Sequence, residues 1–273
     1  MKKYILILII ILLTGNSVHA GFPVGKGRTV LCLAYNFYYS TSNFDTKWGK
    51  YNDKQGDYFA SNYLSLYMAH GISRRLDIFA ALPYVYELSK SDSILRTRHD
   101  FVDCMLGFSY TLMNKTYNKY TSFKLAGLWP LYHGATPLAI GYGATGLDFT
   151  FNHIYSPKSM RNKGYYMFEG SYRHYFDDEG PDQFLFDVER SYTIRRFNYI
   201  LLGINGRVSS STNKSTITNP VISKDFAYFE TKVTLGRRVR RNLTVYLEGF
   251  YTPVGRNTGL GYGAVLLTVM KFP

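Results

Sequence analysis

The amino-acid sequence predicts an all-β protein, a transmembrane antiparallel up-and-down β-barrel of about 12 strands with short periplasmic turns and longer extracellular loops. Three observations support this. Apolar and polar side chains alternate through short segments from Arg28 to Phe272, as in Leu147, Phe149 and Phe151 interleaved with Asp148, Thr150 and Asn152. Successive strand residues point to opposite faces, so each such segment carries one apolar and one polar surface. The first twenty residues read as an export signal. Aromatic residues make up 17% of the chain, with 26 Tyr against 2 Trp, an excess that barrels place in girdles at the lipid head groups. A soluble sandwich shares the alternation, but export, tyrosine load and loop asymmetry favour lipid outside and water inside.

Taken in order, Lys2 and Lys3 precede the apolar run Ile5 to Leu13, and Val18-His19-Ala20 gives a small-x-small site before Gly21. That is the pattern of a cleaved signal peptide at residues 1–20, read by the Sec pathway, with 21–273 left as the barrel. The apolar run is too short to span a bilayer as a helix. No later stretch reaches the roughly 20 apolar residues that would. Without a cysteine at the junction, no lipoprotein is expected.

Strands are expected at Arg28–Tyr39, Tyr58–His70, Arg75–Glu87, Arg98–Leu112, Lys119–Leu131 and Ala144–Tyr155. Further strands follow at Gly164–Phe176, Gln183–Ile194, Phe197–Ser209, Asp225–Leu235, Asn242–Thr252 and Leu260–Phe272. Each is close to the roughly 9–11 residues that cross a bilayer at a tilt. One set of connections is long or rich in turn residues: 40–57, 88–97, 132–143, 177–182, 210–224 and 253–259. The other is mostly short and basic: 71–74, 113–118, 156–163, 195–196 and 236–241. Barrels place the longer set outside the cell, so an even strand count leaves both termini in the periplasm. Either of the loops 40–57 and 132–143 has the length to fold inward. The last strand presents Leu266, Met270 and Phe272 on one face, the kind of terminal strand that the barrel-assembly machinery engages.

The net charge of +13 falls to +11 without Lys2 and Lys3. Nucleic acid is not the expected partner, because Arg74, Arg75, Arg161, Lys163, Arg195, Arg196, Arg237, Arg238, Arg240 and Arg241 all fall in the basic turns. There they meet phospholipid head groups, while lipopolysaccharide surrounds the other end. By parity the inward set is Asp77, Glu87, Asp103, Lys124, Asp148, Glu169, Arg173, Asp187, Glu189, Arg207, Glu230, Lys232 and Glu248. Charges facing hydrocarbon cost roughly 2–4 kcal/mol at the midplane; inside, they pair with one another or line a conduit. Twelve strands close a cylinder roughly 24 Å across, narrowed by side chains to about 10 Å. Parity turns Cys32 inward and Cys104 outward on strands that are not neighbours, so no disulfide is expected.

Catalysis is disfavoured. Barrel lipases and deacylases use His-x-Ser on one strand, which is absent; His153 and His174 lack such a partner. His99-Asp100 and Asp177-Asp178 contain the ingredients of an omptin-type rim protease, as any acidic loop would. No zinc spacing, P-loop or dinucleotide fingerprint occurs, so no cofactor is expected. Asp177-Asp178-Glu179 with Asp182 is read as a solvated loop rather than a Ca²⁺ site.

Two motifs carry a family resemblance. Gly21-Phe22-Pro23-Val24-Gly25-Lys26-Gly27 leads into a strand with Tyr35, Tyr38 and Tyr39, then Phe44-Asp45 and Gly49-Lys50. Gly71-Ile72-Ser73-Arg74-Arg75-Leu76-Asp77 is followed by Pro83-Tyr84. The chain resembles the outer-membrane barrels named for the meta-cleavage pathway of phenol degradation, with Ser73 and Arg74 where that family has Thr and Asp. The resemblance covers about the first third. It implies an outer-membrane barrel passing small hydrophobic or aromatic compounds, and it assigns no binding residue. The expected function is therefore a monomeric outer-membrane channel for a small solute. The alternative is a closed structural or surface-interaction barrel with a salt-bridged lumen, and the third reading is the rim protease.

Overall fold

The computed structural model describes residues 22–91, 94–113, 118–132, 141–157, 164–195, 197–214, 216–218 and 221–273. The predicted signal at 1–20 lies outside them, as do Arg161, Lys163 and Arg196; the side chain of Arg195 is likewise not described. Alternation produces strands β1 (Thr29–Phe44), β2 (Lys50–Asn52), β3 (Tyr58–Gly71), β4 (Leu76–Ser91), β5 (Ile94–Phe101), β6 (Asp103–Met113), β7 (Lys119–Pro130) and β8 (Gly146–Tyr155). They continue as β9 (Tyr166–Tyr175), β10 (Asp182–Arg195), β11 (Asn198–Ser210), β12 (Thr216–Thr218), β13 (Val221–Ser223), β14 (Phe226–Arg240), β15 (Leu243–Arg256) and β16 (Thr258–Phe272).

Each long strand pairs antiparallel with its sequence neighbour, and β16 pairs with β1 from Thr29↔Phe272 to Phe44↔Thr258, closing a 12-strand barrel. Closure leaves no unpaired sheet edge, the condition for placing a β-sheet in hydrocarbon. The short strands are additions. β2 folds back on the far end of β1, β12 pairs with β13, and β5 continues the line of β6 along the upper half of β4. β1 begins and β16 ends at one end of the barrel, called here the terminal end; the longer connections form the loop end.

The outer surface is apolar. Leu66 on β3, Phe108 on β6, Phe149 on β8 and Leu235 on β14 are all exposed, whereas Ser109, Asp148, Thr150 and Thr234 on the opposite face are buried. An apolar exterior around a polar interior is the inverse of a water-soluble protein, and it suits a lipid surrounding. Aromatic rings collect at both rims. Tyr39 lies between Tyr58 and Tyr262 at the loop end, with ring centroids 5.8 Å away in each case. Tyr155 stacks on Tyr166 at the terminal end.

Several expected connections are strand instead. The 236–241 segment is not a turn: β14 runs to Arg240 and reverses through Arg241 and Asn242, so Arg237, Arg238 and Arg240 sit on a strand. The 253–259 segment is not a loop either, because β15 runs to Arg256 and β16 begins at Thr258. Here β15 stays paired with β14 and β16 with β1, and Asn257 between them has φ 50°, a left-handed conformation that Asn tolerates. Pro253 fits because β14 and β15 slip register between Phe229 and Thr231, and β16 leaves β15 after Tyr251↔Tyr262. Proline, lacking an N–H, is accommodated at such a bulge. Likewise β4 and β5 extend through most of 88–97, and β1 reaches Phe44. Turn residues inside a long hairpin mislead when the ladder gains more than the residue loses.

Candidate functional site

The lumen is built from the inward parity of every strand. At mid-height, Lys232 of β14 reaches two β10 carboxylates, Asp187 and Glu189, each at 2.6 Å. Lys124 of β7 bonds Glu169 of β9 at 2.8 Å, and Asn152 donates to the same carboxylate. Arg173 holds Asp148 at 3.0 Å, and Asp148 also accepts hydrogen bonds from Thr150 and Ser171. Thr234 donates to Glu248, and Thr252 to Glu230. Asp77 sits at the terminal end and Asp103 at the loop end, where Tyr175 donates to it. Glu87 pairs in register with Arg98 on the β4–β5 extension above the barrel. Arg207 lies near Glu230 and the rings of Tyr63, Tyr142 and Tyr228. Arg173 and Asp148 pair between neighbouring strands, whereas the Lys232 and Lys124 pairs each reach across an intervening strand, β11 and β8 respectively.

At each mouth, described residues outside the strands turn inward, which parity alone did not reveal. At the terminal end, Phe22–Arg28 precedes β1 and turns under the barrel. Val24 N–H donates to Asp77 at 3.1 Å, Gly27 N–H donates to the Gly71 carbonyl, and Gly71 N–H to that of Arg28. Val24 packs on Ala69, Phe79 and Ala126. The Phe22 ring meets Tyr120 of β7 at 5.3 Å and Tyr165, beside β9, at 5.6 Å. Since β9 stands six strands from β1 around a ring of twelve, this segment spans the mouth. A Cβ at position 71 would collide with the Gly25 carbonyl oxygen, so the close approach needs glycine.

At the loop end, the described part of the 132–143 connection folds inward. Tyr142 packs on Tyr175 with centroids 4.8 Å apart and accepts a hydrogen bond from Gln183 of β10. Gly143 N–H donates to the Tyr132 hydroxyl. The 40–57 connection instead stands up as the β1–β2 hairpin, tied by Asn43 to Asp53. Loop 211–225 is pinned from two sides: Asp225 takes Arg256 at 3.0 and 3.2 Å and Lys214 at 3.1 Å, while Lys224 reaches Asp177 and Asn213 reaches Glu179. Burial alone would raise the Asp225 carboxyl, but hydrogen bonds from Arg256 and Lys214 overcome it and hold the group below the usual carboxylate range.

Tyrosine plays a second part here. Tyr63, Tyr67, Tyr175, Tyr228 and Tyr246 share the inward parity of the charges, so the tyrosine excess does not lie in the girdles alone. The protease ingredients are not brought together. His99 stacks against the outward Tyr86, whereas Asp177 belongs to the β9–β10 connection, with β7 and β8 standing between. His174 bonds Asp182 at the outer rim. Both cysteines are free, Cys32 buried inside β1 and Cys104 on β6.

No protein-family model matches the chain, and no curated protein matches it. Among solved structures, it is similar to an outer membrane channel from Pseudomonas putida F1, 12% identical over 94% of this chain and all of that one, with a TM-score of 0.75. It is also similar to the NanC porin, 10% identical over 89% of this chain and 100% of that one, with a TM-score of 0.54. The transport unit of the autotransporter AIDA-I from Escherichia coli matches at 9% identity over 95% and 93%, with a TM-score of 0.51. These likenesses show the fold.

Proposed function

We propose that the protein is a narrow outer-membrane channel that passes a small solute by passive diffusion, restricted at both mouths by its own chain. The observation that carries this reading is a closed barrel whose inner face is polar from the loop end to the terminal end. Asp103, Gln183 and Arg207 lie toward the loop end, Asn152 lower down, and Asp77 at the terminal end. A polar inner wall is solvated by water and not by hydrocarbon, and a water-compatible interior is what a conduit requires. The loop end is then extracellular and the terminal end periplasmic. The motif resemblance, with tyrosines on the lumen wall, favours a hydrophobic or aromatic solute. Chemistry is not part of the reading.

The second reading, a closed structural barrel, draws on the ion pairs of Lys232, Lys124 and Arg173 and on the Phe22 segment. Recordings in planar bilayers separate the two. A conduit gives small discrete current steps, and a filled barrel gives none. Liposome swelling with phenolic against sugar solutes then tests the cargo; equal rates for both would remove the aromatic preference.

A further inference from the structure

On the outside of the barrel, near the terminal rim, Arg237 of β14 points the same way as Leu235 and Val239 on either side of it. Those neighbours are 53% and 56% exposed, on a surface that otherwise faces hydrocarbon. Among the described residues Arg237 has no acidic partner. It lines a groove of about 480 Å³, walled by Ile194, Ile200, Leu235, Val239 and Leu247. The groove is shallow and open along the outer wall, with an almost wholly apolar lining. Arg241, in the turn that follows β14, is exposed as well.

An outward arginine flanked by apolar residues carries a desolvation cost unless an anion comes to it. A second outward arginine on the same side shows how this surface handles the problem with its own groups: Arg190 lies over the Tyr166 and Tyr192 rings at 3.7 and 4.9 Å. Arg237 has an apolar groove in place of rings. We infer that this groove is a binding site for an anionic glycerophospholipid of the inner leaflet, with an acyl chain along Leu235, Ile200 and Leu247 and its phosphate on Arg237. The guanidinium suits a phosphate through paired N–H donors, and the acyl chain fills an apolar slot that water would leave unsatisfied. The site rests on the outward face being the lipid face, and it stands whether or not the lumen conducts.

The test is native mass spectrometry of the delipidated, refolded barrel titrated with phosphatidylglycerol, or with phosphatidylcholine of the same acyl chains. Phosphatidylglycerol should be retained preferentially. Arg237→Gln should lower its retention roughly five- to tenfold, the scale of one basic residue at an anionic surface. Folding is not at risk in that variant, because it removes a charge from the lipid face. Val239→Trp, which fills the slot while leaving Arg237, should lower retention as well. Arg74→Gln, an equally exposed arginine in the β3–β4 turn outside the groove, should leave it unchanged. Equal retention of the two lipids, an unaffected Arg237→Gln, or an equal loss in Arg74→Gln would overturn the site. So would competition by inorganic phosphate alone at concentrations comparable to the lipid.

Discussion

Replacing Lys232 by Met is the most informative single change in the interior. The ammonium lies 2.6 Å from both Asp187 and Glu189, and the three side chains are 4%, 9% and 4% exposed. Methionine nearly matches the lysine stem, so packing changes little while one cation disappears from between two anions. Removing one partner from a buried ion pair typically costs about 3–5 kcal/mol, because the charge left behind has lost its compensation. Two carboxylates left facing each other place Lys232→Met at the upper end of that range. The assay is reversible urea unfolding in detergent micelles, followed by the gel-mobility difference between folded and unfolded barrel. The triple variant Lys232→Met with Asp187→Asn and Glu189→Gln should recover most of the loss, since no uncompensated charge remains. A Lys232→Met barrel within about 0.5 kcal/mol of the parent, the scatter of ordinary surface changes, would refute the idea that these ions are buried and mutually dependent.

Deleting Phe22 to Lys26 should raise single-channel conductance, and Gly71→Ala should move it the same way by pushing Gly25 off its seat; unchanged conductance in both would mean that the segment does not restrict the conduit. In the named interior set, carboxylates outnumber cations, so reversal potentials under a salt gradient should show preference for cations over anions. The loop-end pair gives a pH prediction. Asp225 has its carboxyl held down in the folded state, so its contribution is present above the ordinary value of 3.8 and is lost as pH falls through the lower folded value. Protease cleavage within 211–224 should therefore stay slow from neutral pH to about 4 and rise below it, whereas Asp225→Asn should be cleaved readily throughout.

The period-2 pattern made the fold legible because each strand has one face in hydrocarbon and one in water, and a one-residue slip would exchange them. Parity likewise assigned the charges from Asp77 to Glu248 to the inner face without any knowledge of their partners. What it missed has physical causes. Strand ends at Arg240 and Arg256 were hidden because arginines and Pro253 resemble turn chemistry, while ladder pairing beyond the bilayer needs no apolar alternation. The residues that turn inward at the mouths, Phe22, Val24 and Tyr142, lie outside any strand and carry no periodic signal. One clue was present: the motifs around Gly21–Gly27 and Gly71–Asp77, noted separately in the sequence, bind one another through Gly71 and Asp77. A glycine closing a strand and an aspartate opening the next are what a docked backbone segment needs.

The two tryptophans offer the most direct test of an apolar wall turned toward lipid. Trp129 is on the outward face of β7 opposite Cys104, and Trp48 is at the tip of the β1–β2 hairpin. In vesicles, the Trp48→Phe protein should have its remaining fluorescence quenched by brominated acyl chains and spared by aqueous iodide, and Trp129→Phe should show the reverse. Iodide quenching of Trp129 with no effect of brominated lipid would mean that the outer wall faces water, contradicting the account at its base.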